Sequence, residues 1–160
     1  MKKIVLMGLG NLLYSDEGLG VQIVQALQRE YFFPDNVEVV DGGTQGLLLL
    51  EYLEEADYFL CVDAINAGKP AGTLIRLVGN EIPQYVGIKM SQHQLSFQEV
   101  LALASLRGTL PQEMVFLGIQ PKSLEFGLDL SATVQLSLPA LREAIVKQLA
   151  QWDAQPFKIE

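Results

Sequence analysis

Short apolar runs and helical stripes alternate along this chain. Ile4, Val5, Leu6 and Met7 form a continuous apolar run, the pattern of a strand covered on both faces, and Gly8 and Gly10 end it. From Gly18 the apolar residues Val21, Val24, Leu27 and Tyr31, with Ile23 beside them, recur at helical spacing. Val37 to Val40 predicts a second strand. Leu47 to Glu55 predicts a helix packed on the sheet, with Glu51, Glu54 and Glu55 on its wet side. Tyr58 to Val62 and Thr73 to Val78 read as the third and fourth strands, and the connection between them is too short for a parallel crossover, so the fourth strand should run antiparallel. Ser96 to Leu106 reads as a helix with Ser96 and Glu99 at capping-box spacing. Met114 to Ile119 is a fifth strand. Ser131 to Trp152 is mostly helical, with Pro139 kinking it or starting a second segment.

Strands alternating with helices predict an α/β three-layer sandwich: a mostly parallel, twisted five-stranded sheet with one antiparallel strand and helices on both faces. Residues 1–160 are expected to form one domain, with the tail after about Trp152 loosely held. A formal net charge of −8 argues against nucleic acid and anionic membrane surfaces as partners. The first apolar run is too short for a signal peptide or a spanning helix, which points to the cytoplasm. The single cysteine, Cys61, flanked by Phe59, Leu60 and Val62, excludes an internal disulfide framework and an all-thiolate metal site within one chain; it reads as a core residue.

Acids stand where strands end. Asp16 and Glu17 follow strand one at the start of a helix, Asp41 ends strand two, and Asp63 ends strand three. One acid at a helix start suits the helix dipole, but two exceed what a cap requires. The glycine turn resembles a nucleotide-binding loop, and a dinucleotide-binding module would use Asp41 as a ribose ligand. Against it, Leu13 occupies the place of the third glycine of the dinucleotide fingerprint, no GxxxxGK[ST] pattern is present, and two acids stand where a pyrophosphate would lie. A cation is the better fit.

The only histidine, His93, lies near the end of a long loop from Gly79 to Gln94, just before a helix start. Parallel sheets bind ligands beyond the carboxyl ends of their strands, where these acids and His93 are expected to meet. Two carboxylates and an imidazole suit Ni(II), Zn(II), Mn(II) or Fe(II), with coordination positions left open for substrate or water. A Ser-His-Asp triad would also need His93, but the chain has no GxSxG elbow.

Five ordered stretches carry a family likeness: GLGNLLYSDEGLG, DGGTQG from Asp41 to Gly46, VDAINAG from Val62 to Gly68, SQHQL from Ser91 to Leu95, and GIQPKSLEFGLDLS from Gly118 to Ser131. Together they resemble the hydrogenase maturation endopeptidases, in register from Lys2 to about Leu149. The resemblance implies cleavage of a C-terminal peptide from the precursor of the nickel-iron hydrogenase large subunit after metal insertion. It also implies that Glu17, Asp63 and His93 are the metal-binding positions, with nickel arriving in the precursor. Some relatives carry a different acid at this turn, which leaves Asp16 beside Glu17 as a candidate. Asp41 falls in the family's DGGT stretch and is the candidate general base. A nickel-recognising checkpoint that cuts nothing would need the same ligands.

Overall fold

The structure is a computed structural model and describes residues 1–10, 12–43, 48–79, 81–82 and 92–160, without the side chains of residues 43, 48, 92–96 and 98. Strand β1 (Ile4–Leu9) leads through a 3-10 turn (Ser15–Gly18) into α1 (Leu19–Glu30). Then follow β2 (Tyr31–Phe32), β3 (Val37–Gly43), α2 (Leu48–Glu55), β4 (Tyr58–Ala64) and β5 (Leu74–Val78). The chain continues through α3 (Gln92–Arg107), β6 (Glu113–Ile119), α4 (Ala132–Gln151) and β7 (Phe157–Lys158).

Five strands form one sheet in the order β3-β1-β4-β6-β5. β3, β1, β4 and β6 run parallel, and β5 pairs antiparallel with β6, as the short connection requires. That connection crosses the carboxyl end of β6 and is fastened there by Gln120. The Gln120 side chain accepts from the Ala67 and Lys69 amides at 2.8 and 3.2 Å and donates to Asn66 Oδ1 at 3.1 Å.

The strands carry apolar residues on both faces because each face meets a helical layer. Ile4, Leu6, Leu60, Val62, Val115 and Leu117 pack with Leu19, Ile23, Val24 and Leu27 of α1 and Val134, Leu141, Ile145 and Leu149 of α4. Val5, Met7, Phe59, Cys61 and Phe116 pack with Leu49 and Leu53 of α2 and Phe97, Val100 and Ala104 of α3. Cys61 is thus a buried core thiol, as its apolar neighbours imply. Each fully buried Leu, Ile or Phe contributes about 1.5–3 kcal/mol, so these two layers hold the sheet.

Five local differences from the sequence reading stand out. β1 runs through Gly8 to Leu9 because α1 lies against it: a Cβ on Gly8 would stand 2.4 Å from Gly20 O. α3 begins at Gln92, so Ser96 sits inside the helix rather than capping it, and no breaker separates 92 from 96. Pro139 lies within one continuous α4. The tail, expected to be loose, folds back: Trp152 stacks on Tyr58 with ring centroids 5.2 Å apart, Phe157 and Lys158 pair with Phe32 and Tyr31, and Ile159 N donates to Glu30 O at 2.8 Å. Glu54, read as solvated, ties α2 to the end of α3 by pairing with Arg107 at 2.8 Å and accepting from the Thr109 hydroxyl.

Candidate active site

Consecutive parallel strands depart from β1 in opposite directions, to β3 through α1 on one face and onward to β4 through α2 on the other. The crevice between the carboxyl ends of β1 and β4 is therefore the topological switch point of the sheet, where open α/β sheets bind ligands. Glycines let the turn after β1 descend into it. Gly10 has φ +133°, open to glycine but strained for other residues, and a Cβ there would lie 1.9 Å from Glu17 O. A Cβ on Gly20 would lie 2.2 Å from Val62 O and 2.4 Å from Leu9 O. At both glycines the close neighbours are the chain's own backbone carbonyls.

Gly20→Ala is accordingly expected to destabilise the protein. Alanine gains up to about 1 kcal/mol of helix propensity over glycine. Overpacking against two backbone carbonyls costs about 3 kcal/mol, so the clash wins. Urea unfolding monitored by circular dichroism would show the lower midpoint.

Asp16 is fully buried, and its carboxylate accepts four hydrogen bonds. Oδ2 receives the Lys122 amide at 2.8 Å, the Ser123 amide at 2.9 Å and the Ser131 hydroxyl at 2.9 Å, while Oδ1 receives the Ser131 amide at 2.6 Å. Ser131 Oγ in turn accepts from Val134 N at 3.2 Å as the N-cap of α4. Asp16 caps neither its own turn nor α1; it braces the segment from 122 to 131 and the start of α4. One acid of the pair is structural, as helix capping would suggest, but its partners are remote in sequence.

Glu17 is 7% exposed and sits in the same turn, which packs against β4. Asp63 is 1% exposed near the end of β4, with Oδ1 accepting the Ala64 amide at 2.8 Å. Strand alternation sets its direction. Leu60, Val62 and Ala64 belong to the α1/α4 layer and Phe59, Cys61 and Ile65 to the α2/α3 layer, so Asp63 faces the α2/α3 side. His93 lies in the first turn of α3, the helix covering that side; its side chain lies outside the described residues. Among the described residues no cluster of three metal-ligating side chains occurs.

Asp41 is placed differently. It is exposed on the edge strand β3, in register with Gly8 and through it with Val62, and Gln25 Nε2 of α1 donates to its Oδ2 at 3.3 Å. It therefore faces the α1 side, opposite to Asp63. Residues 44–46 of the DGGTQG stretch lie outside the described residues, as do residues 80 and 83–91 of the expected loop, while 92–94 belong to α3. The residue missed by sequence reasoning is Gln120: directly after β6, it fixes the loop that follows Asp63, and a polar residue behind the run MVFLGI was its only signal. A groove of about 650 Å³ beside α4, lined by Leu138, Arg142 and Val146 among others, holds none of the candidate residues.

A family model described as hydrogenase maturation protease matches residues 21–148. The chain belongs to the hydrogenase maturation proteases. It is 46% identical over 145 residues to the hydrogenase expression/formation protein HoxM of Azotobacter vinelandii, covering 89% of this chain and 70% of that protein. It is 39% identical over 145 residues to the hydrogenase 2 maturation protease of Escherichia coli K12, covering 89% and 88%. The solved structure of the hydrogenase maturating endopeptidase HybD from E. coli superposes with a TM-score of 0.93 at 34% identity, over 98% of this chain and 97% of that one. As a member of this protease family the chain is an endopeptidase, and the mixed five-stranded sheet is the fold of its structural neighbours. No helix among the described residues is long and apolar enough to cross a membrane.

Proposed function

We propose that this protease removes a C-terminal peptide from the precursor of a nickel-iron hydrogenase large subunit, in the cytoplasm, after nickel has been inserted. Nickel arrives as part of the substrate, and Glu17, Asp63 and His93 complete its coordination and so bring the scissile bond to the crevice. The observation that carries the ligand choice is the division between the adjacent acids. Asp16 is spent on four donors from the 122–131 segment, so of the two adjacent acids we assign Glu17 to the cation. Two carboxylates and one imidazole match the preferences of a borderline ion.

Hydrolysis adds water across one peptide bond, giving a new carboxylate on the large subunit and a free amine on the released peptide. Asp41, on the α1 side of the sheet, is better placed to contact the substrate chain than to draw a proton from water beside Asp63. Cleavage, rather than a checkpoint without chemistry, is favoured by the endopeptidase family to which the chain belongs.

The test is the intact mass of a large-subunit precursor, nickel-loaded and nickel-free, after incubation with this protein. Loss of a C-terminal peptide only from the loaded sample is expected. Equal cleavage of both samples would remove nickel from the proposal, and binding without any loss of mass would establish the checkpoint instead.

A further inference from the structure

Beside the crevice, two loops distant in sequence are sewn together and hold apolar side chains in water. Ser15 N donates to Gly127 O at 2.8 Å, Gly127 N donates to Leu13 O at 2.7 Å, and Tyr14 and Gly127 form a parallel bridge. Ser15 Oγ donates to Glu125 O at 2.6 Å, and Asp16 N donates to Ser123 O at 3.1 Å. The rings of Tyr14 and Phe126 meet edge to face with centroids 6.1 Å apart. Ser15 takes the left-handed conformation at φ 49°, which costs about 1–2 kcal/mol for a residue with a Cβ.

Leu12, Leu13, Tyr14, Leu124, Phe126 and Leu128 are all exposed on these loops, Phe126 by 78% and Leu128 by 68%. Folding alone would not favour this arrangement. Single exposed leucines are ordinary, but six large apolar residues on one braced pair of loops mark a surface that is covered in use. The patch is continuous with the candidate site: Glu17 N donates to Tyr14 O at 3.0 Å, so the turn that presents Tyr14 also presents Glu17.

We infer that this two-loop platform docks the protein substrate, receiving an apolar surface of the precursor next to the segment that is cut. The inference rests on the proposed function. A substrate whose scissile bond reaches the crevice must pass over or beside this platform, and aromatic and leucine side chains on rigid backbone are effective anchors, because little conformational freedom remains to be lost on binding. The platform sets affinity and does not take part in the chemistry.

The test compares the wild-type protein with the double variant Phe126→Ser, Leu128→Ser, and with Leu136→Ser as a control for an exposed leucine on α4. Initial rates of precursor cleavage are measured against precursor concentration, together with melting temperature and sedimentation. The double variant is expected to raise KM about tenfold with kcat within about twofold, because the binding lost is the same in the bound substrate and in the transition state. Its melting temperature and sedimentation should match the wild type, and the control should keep its KM. An unchanged KM in the double variant, with the wild type cleaving, would overturn the docking role while leaving the function in place. A wild-type dimer that the double variant dissociates at unchanged KM would reassign the platform to self-association. Wild-type protein that neither binds nor cuts the precursor would remove the function and this inference with it.

Discussion

Asp16→Ala is expected to lower stability by about 3–5 kcal/mol, a fall in Tm of about 10 °C or more. The magnitude follows from what the carboxylate leaves behind. Three backbone amides, those of Lys122, Ser123 and Ser131, lose their acceptor in a part-buried place, as does the Ser131 hydroxyl. Each unsatisfied donor costs about 1–3 kcal/mol, reduced where water can enter. Asp16→Asn separates charge from geometry. Its amide oxygen can replace Oδ2 and serve three donors, but its NH2 then faces the Ser131 amide, donor against donor, so an intermediate loss is expected. Calorimetry on the three proteins reads the order directly. An Asp16→Ala protein as stable as the wild type would show that the brace contributes nothing.

The second large effect belongs to chemistry rather than stability. Glu17→Gln and His93→Ala are each expected to abolish precursor processing while leaving the protein folded, read as an unchanged far-ultraviolet circular dichroism spectrum. Glutamine keeps the volume of Glu17 and removes its charge. The decisive comparison is Glu17→Gln against Asp16→Asn in one processing assay, with protein concentration set to equal folded fractions. If Asp16→Asn lost cleavage per folded molecule and Glu17→Gln kept it, the assignment of the two acids would be reversed.

How far the fold was legible can be argued from single elements. The runs YFLCV and MVFLGI read as strands because both their faces are buried, and apolar continuity over so short a span leaves little else for them to be. The antiparallel fourth strand followed from chain length alone. The start of α3 was read four residues late, because Ser96 and Glu99 have capping-box spacing and residues three apart are also neighbours inside a helix. The β2–β7 pair left no periodic trace: two residues on each side, largely exposed, give no alternation to detect. At the candidate site, strand-end placement put forward Glu17, Asp63 and Asp41, whereas the face each occupies depends on strand register, which separates Asp41 from Asp63. The role of Asp16 was illegible because its partners lie 106 to 115 residues away. Acid next to acid looks the same in sequence whether one or both of them are spent.

The bond from Asp16 to Ser131 has a consequence for how substrate recognition is timed against ordering. A turn of this kind, left to itself, would sample many conformers, and fixing each residue costs about 1–2 kcal/mol in entropy. Here that loss is met when the chain folds, because a carboxylate in the turn and the first residues of a distant helix immobilise one another. If Glu17 receives the substrate's metal as proposed, it is pre-organised before the substrate arrives, and the free energy of an encounter goes into discriminating between partners rather than into shaping the place that receives them.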